Sequence, residues 1–173
     1  MNTPSNVISP SIRRARRVDT RQIVSGINAI CAEGGAFYTT RFVATPQWKG
    51  ALYHPEKVPD HLLAVAECDG QIVGAGRLFP GGEYSLLNHV AELGLFVMKP
   101  FRNQGIGTQL FAQLRDWATQ GNIEKITLTV FATNKPAIQF YRKHGFSQEG
   151  CLSRQIKTGE HYIDLFLMGL FLK

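Results

Sequence analysis

Between a strand-like apolar run and a helix-like one, residues 99–108 read "KPFRNQGIGT". A strand, a glycine-bearing loop and a helix start aim successive backbone N–H groups outward at the positive end of the helix. That geometry binds phosphate without cationic side chains. Glycine suits it because a Cβ would hold an anion away from the backbone. Two better-known phosphate loops do not fit. A Walker loop needs Gly-Lys-Ser/Thr, whereas Gly107 is followed directly by Thr108. A dinucleotide fingerprint needs a third small residue where Leu110 stands, and no matching acidic residue closes a following strand. On these residues alone the loop is either a phosphate cradle or a plain strand-to-helix turn.

The elements that must hold the loop follow from periodicity. "SIRRARRV" alternates weakly and predicts an edge strand over 11–18. Asp19 or Thr20 is then placed to cap a helix over 20–32, with Ile23, Ile27 and Ile30 on one face. Residues 33–60 are rich in Gly, Pro and aromatics and read as a long irregular segment with one short helix. "HLLAVAEC", "DG" and "QIVGAGRLF" form a hairpin signal. "HVAELGLFVM" (89–98) is a strand leading into the loop, and Ile106, Leu110, Leu114 and Trp117 mark a helix to about residue 120. "KITLTVFA" alternates through Ile126, Leu128 and Val130. "KPAIQFYRKHGF" reads as a helix with Pro136 in its first turn and Gly145 as its stop. The remaining tail reads as two strands about "KTGE". Without repeats or linkers, the expectation is a flexible tail over 1–10 and a single α+β domain over 11–173.

Composition narrows the function classes. The 173 residues, 44% hydrophobic and 18% charged, suit one globular domain with a full core. No apolar run approaches the roughly 20 residues of a membrane helix, and no secretory signal is legible at the start, so no membrane partner is expected. Cys31, Cys68 and Cys151 are odd in number and show no C-x-x-C spacing, which points to a reducing cytoplasm. The five histidines lack metal-ligand spacing, so no metal is expected. A net charge of +6 favours an anionic ligand. Arg13, Arg14, Arg16 and Arg17 alternate about a predicted strand instead of forming one stripe, which argues against nucleic acid.

The second half adds a companion to the loop. Arg102, Gly105 and Gly107 match Q/R-x-x-G-x-G/A, and Asn134, Ala137, Tyr141, Gly145 and Phe146 match N-x-x-A-x-x-x-Y-x-x-x-G-F. Both motifs are present in order, with a helix and a strand between them. Here the chain resembles the GNAT superfamily of acyl-CoA N-acyltransferases over roughly residues 60–170. "AELGLFV" before the loop looks most like the bacterial branch that acetylates free amino acids and other small amines. The resemblance implies a GNAT fold, a central mixed, mostly antiparallel sheet of about seven strands flanked by about four helices. It also implies acetyl-CoA as co-substrate.

In the resemblance, main-chain groups of Leu95, Phe96 and Val97 bond the pantetheine arm as an added strand would. An N–H near Val97 faces the thioester oxygen. Arg102, Asn103, Gln104, Gly105, Ile106, Gly107 and Thr108 hold the pyrophosphate, Asn134 bonds the arm or the substrate, and Ala137 is a further cofactor contact. Asn134 is also placed as a helix N-cap. Tyr141 is the general acid, two helical turns beyond Asn134 and on the same face. Glu92, the one carboxylate of the strand leading to the loop, is the candidate base, with His89 a lesser one. An acceptor carboxylate would meet Arg41, with Tyr38 beside it, while Arg77 reads as solvent-facing. The expectation is a small-molecule amine acceptor, with a homodimer left open. The rivals are a protein Nα- or lysine acetyltransferase and an acyl-CoA sensor without activity.

Overall fold

Successive residues of a strand face opposite ways, and the core of this chain divides accordingly. The computed structural model describes residues 10–80 and 85–172. Over these the order is β1 (Ser11–Arg14), α1 (Thr20–Glu33), α2 (Pro46–Tyr53), β2 (Leu62–Cys68), β3 (Gln71–Pro80), β4 (Val90–Val97), α3 (Ile106–Gln120), β5 (Lys125–Phe131), α4 (Lys135–Lys143), β6 (Ser147–Thr158) and β7 (His161–Phe171). One sheet runs β1-β2-β3-β4-β5-β7-β6. Its neighbours are antiparallel except β4 and β5, which are parallel. The expected mixed α+β sheet is the one observed.

On one face Ala64, Leu93, Ile126, Leu128 and Val130 pack with Ile106, Leu110 and Leu114 of α3 and Ile138 and Tyr141 of α4. On the other, Leu63, Val65, Ala75, Phe79 and Phe96 receive Ile23, Ile27 and Ile30 of α1 and Leu52 of α2. Each fully buried aliphatic side chain contributes about 1.5–3 kcal/mol. A one-residue slip would exchange the two faces, so burial on both sides fixes the register. Asp69 and Gly70, at φ 48° and 78°, make the tight turn expected between β2 and β3.

The edge strand ends earlier than its alternation suggests. Asp19 is 4% exposed, and a buried carboxylate needs partners. It receives Arg13 at 2.7 Å and the Arg16 N–H at 2.7 Å. These bonds accompany a turn at Arg17–Asp19 where the strand was expected to continue. They also occupy the side chain expected to cap α1, which makes no cap bond. Thr20 Oγ1 donates instead to the Leu52 carbonyl. Arg13 further pairs with Glu67, and Arg14 donates to the Pro59 carbonyl, so half of the arginine cluster is spent on the fold. The tail expected over 1–10 lies outside the described residues except for Pro10, which is buried.

One feature of the sheet creates a site. β4 and β5 pair only at Val90–Lys125, Ala91–Ile126 and Glu92–Thr127. Beyond that, β4 stays with β3 as far as Val97 and β5 stays with β7 as far as Phe131. The sheet therefore opens between them as a V.

Candidate active site

Backbone groups of an antiparallel strand alternate between its two neighbours. At the two ends of β4 the His89 carbonyl accepts from Glu124 and Lys125 on the β5 side, and the Met98 N–H donates to Val73 on the β3 side. The odd residues Leu93, Leu95 and Val97 therefore turn their N–H and C=O groups into the V, where β5 no longer reaches. Phe96 differs from its expected role. Its backbone turns to β3, and its ring is buried against α1. Of the three strand residues assigned to the arm, Leu95 and Val97 reach the cleft.

The loop leaves β4 at the wide end of the V. Gly105 sits at φ 78°, ψ −1° as the residue before α3, and Asn103 is also left-handed at φ 61°. The first N–H groups of α3, from Ile106 to Thr108, have no partner within the helix. A Cβ built on Gly105 would meet nothing within 4 Å, so its glycine answers to the backbone angle. At Gly107 a Cβ would rest 3.4 Å from the Phe140 ring and 3.8 Å from Leu95, which is ordinary contact. Nothing inside the protein demands glycine there, so a ligand lying against the backbone accounts for it best. This open strip of N–H groups fits a pyrophosphate. Ile106 anchors the strip in the core at 1% exposure, and Thr108 Oγ1 lies 3.3 Å from His144 Nε2. The Gln104 side chain donates to the Pro100 carbonyl. The Arg102 side chain is engaged elsewhere, by Glu33 and the Val97 carbonyl.

α4 brings the second motif to the same place. Asn134 accepts from the Ala137 N–H at 3.3 Å, the N-cap its sequence suggested. Phe140 reaches Gly107, and Tyr141 packs edge-on against Phe140 and Phe146 at 5.4 and 5.5 Å. Tyr141 is thus a core aromatic by its ring. Its hydroxyl has no hydrogen-bond partner among the described residues. Burial pushes its pKa up to about 12, which keeps the proton in place at neutral pH.

The opposite sheet face carries the remaining candidates. Glu92 is the last β4 residue paired with β5, at the vertex of the V. Its Oε1 accepts from Arg77 Nη2 at 2.5 Å. Arg77 was expected to face solvent, but it lies over Phe79 at 4.9 Å and Trp48 at 5.7 Å, with its side chain 19% exposed. Its alternation with Phe79 on β3 was the available signal. Tyr38 crosses from the irregular segment to bond Thr129 of β5 and stack on Phe131, so that segment does lie on this face. Arg41, nearby in sequence, is exposed and has no side-chain partner among the described residues. His89 is exposed. No group of three or more His, Cys, Asp or Glu among the described residues could hold a metal ion.

A model of the acetyltransferase (GNAT) family matches residues 28–146. The chain belongs to the GNAT acetyltransferase family. Membership places it among acetyl-CoA-dependent N-acetyltransferases. An L-amino acid N-acetyltransferase of Escherichia coli (strain K12) is 32% identical over 105 residues, covering 60% of this chain and 64% of that protein. An N-alpha-acetyltransferase of Sulfurisphaera tokodaii is 29% identical over 169 residues, covering 91% and 90%. The crystal structure of a GNAT superfamily phosphinothricin acetyltransferase from Sinorhizobium meliloti in complex with acetyl-CoA has a TM-score of 0.81 at 18% identity, over 94% of this chain and 88% of that one. That likeness is one of fold.

Proposed function

We propose that this GNAT protein transfers the acetyl group of acetyl-CoA to the primary amine of a small molecule, an amino acid or a related amine, by direct attack on the thioester. The observation that carries the reading is the V between β4 and β5. It is lined by main-chain groups of Leu95 and the N–H of Val97, whose carbonyl is taken by Arg102, and ends on the N–H groups at the start of α3 that have no partner within the helix. Bound acetyl-CoA supplies an activated acyl carbon. Leu95 and Val97 align the pantetheine arm, and the Val97 N–H stabilises the negative charge that develops on the thioester oxygen. The loop from Asn103 to Thr108 holds the pyrophosphate, with Asn134 and Ala137 along the arm.

Glu92 takes the proton that the acceptor ammonium must lose, and Arg77 orients its carboxylate. As the new C–N bond forms and the C–S bond breaks, the Tyr141 hydroxyl donates to the departing sulfur, and the second proton shed by the nitrogen leaves a neutral tyrosine and a free CoA thiol. The Tyr141 pKa lies above that of a free thiol, near 8.5, so its contribution is greatest as a donor to the forming thiolate. Arg41 meets the acceptor carboxylate, with Tyr38 holding its segment on β5. The free thiols Cys31, Cys68 and Cys151 support a reducing cytoplasm, and no helix among the described residues is long and apolar enough to cross a membrane.

The near-full-length likeness to an N-alpha-acetyltransferase favours a second reading, a peptide α-amine as acceptor. Acetyl-CoA consumption measured over amino acids, polyamines and short peptides separates the two. Turnover on amino acids and not on peptides is expected, and the reverse would exchange the readings.

A further inference from the structure

Glu33 is the last residue of α1, and its carboxylate receives Arg102 Nη1 and Nη2 at 2.8 and 2.9 Å. Nε of the same guanidinium donates to the Val97 carbonyl at 2.8 Å. A rigid planar fork occupied in this way holds three pieces in one arrangement: the end of α1, the end of β4 and the start of the loop.

Local stability is a poor reason for the pair. Its side chains are 33% and 38% exposed, where solvent screens an ion pair and only its bidentate geometry adds to it. A carboxylate at a helix C-terminus also opposes the helix dipole, and the last turn of α1 has no basic residue to offset it. The sequence accepts a local cost for a long-range bond. What that bond fixes is Val97, which turns its backbone into the V.

We propose that Glu33 is a positioning residue for acetyl transfer, acting through the Arg102 guanidinium to fix Val97 and the cofactor loop. The proposal rests on the reading of Val97 and the loop as acetyl-CoA contacts. It makes the Arg102 side chain a brace, leaving the pyrophosphate to backbone N–H groups.

The test compares Glu33→Gln, Arg102→Gln, Arg102→Lys and the double glutamine variant by steady-state kinetics, calorimetric CoA binding and thermal unfolding. We expect kcat to fall about tenfold in each single variant, the scale of a small misplacement near the reacting atoms. The double variant should be no worse than the poorer single. CoA dissociation constants should stay within about threefold for Glu33→Gln. Lysine cannot span both partners, so Arg102→Lys should behave like Arg102→Gln. If Glu33→Gln does not fold, Glu33→Asp keeps the charge, shortens the reach and should show the same kcat loss at an unchanged Tm. Tighter CoA binding at unchanged kcat in Glu33→Gln would make Arg102 a phosphate ligand that Glu33 holds back, and would overturn the proposal. Additive losses, or full activity in Arg102→Lys or Glu33→Asp, would overturn it as well. A wild type that binds no CoA overturns the cofactor reading, and this proposal with it.

Discussion

The two sides of the V are built from different material. The side proposed for the cofactor is made of backbone, namely the odd residues of β4 and the first turn of α3, with Ile106 and Tyr141 packed into the core beneath it. The side proposed for the acceptor is made of side chains from separate stretches, Tyr38 of the irregular segment, Arg77 of β3 and Glu92 of β4, with Arg41 proposed to join them. Backbone recognition of a phosphate needs little more than a chain path, so it depends little on which side chains surround it. Side-chain recognition of an amine can be rewritten without touching the fold. The difference predicts that substitutions on the first side cost CoA binding or chemistry for every acceptor. On the second they should discriminate between acceptors.

The largest effect should come from Tyr141. Tyr141→Phe keeps the buried ring and removes one hydroxyl, so we expect kcat to fall about 10²-fold, the scale of a lost general acid. CoA affinity and Tm should barely change. A Phe variant with full turnover would leave Tyr141 as a core aromatic only, and would remove the one catalytic side chain proposed for the cofactor side.

Arg41→Ala tests the other side. Loss of a charge-assisted hydrogen bond to a carboxylate costs about 2 kcal/mol, so KM for an α-amino acid should rise roughly thirtyfold. KM for the matching decarboxylated amine should not move. Equal effects on both would make Arg41 structural and the acceptor side less selective than its side chains suggest.

Gly107→Val probes the backbone strip, where CoA affinity should fall at least about tenfold, or 1.4 kcal/mol, for any acceptor. Gly107 is a cleaner site than Gly105, whose positive φ would add strain to any substitution. Unchanged CoA binding measured by calorimetry would return the loop to a plain turn.

These sites also mark what was legible in the sequence. The loop, its helix and the second motif follow from contiguous spacing, because glycine angles, a proline at a helix start and apolar periodicity are local properties. The end of the first strand was misplaced because Asp19 takes its partners from Arg13 and Arg16, a tertiary demand that outweighs alternation. Phe96 was assigned to the cleft because a strand reads as a unit, whereas its backbone groups serve two neighbours in turn. Glu33 was out of reach, and for Arg77 alternation with Phe79 could give the face but not the partner. Their partners lie 69 and 15 residues away, and an exposed charge in a sequence does not announce the residue it will meet.

The smallest effect separates the two sides by their response to pH. The His144 ring lies 4.5 Å from Phe140 and 5.1 Å from Phe111, beside Thr108 of the loop. Burial first, then the neighbouring charges of Lys143 and Arg115, hold its pKa below the ordinary histidine value. The unfolded chain therefore takes up a proton more readily than the folded one as pH falls below about 6.5. The stability concerned is fully present above that pH and is lost as pH falls through the folded pKa. Carboxylates titrate lower and contribute little to this window. Urea midpoints should decline between pH 7.5 and 5.5 in the wild type, and His144→Gln should flatten the decline while retaining a polar group for Thr108. Because His144 belongs to the cofactor side, the change should appear in global unfolding. The ratio of KM values for amino acid and amine should stay constant over the same range. A decline equally steep in the variant would remove His144 as its origin, and a shift in the KM ratio would mean that the two sides are coupled.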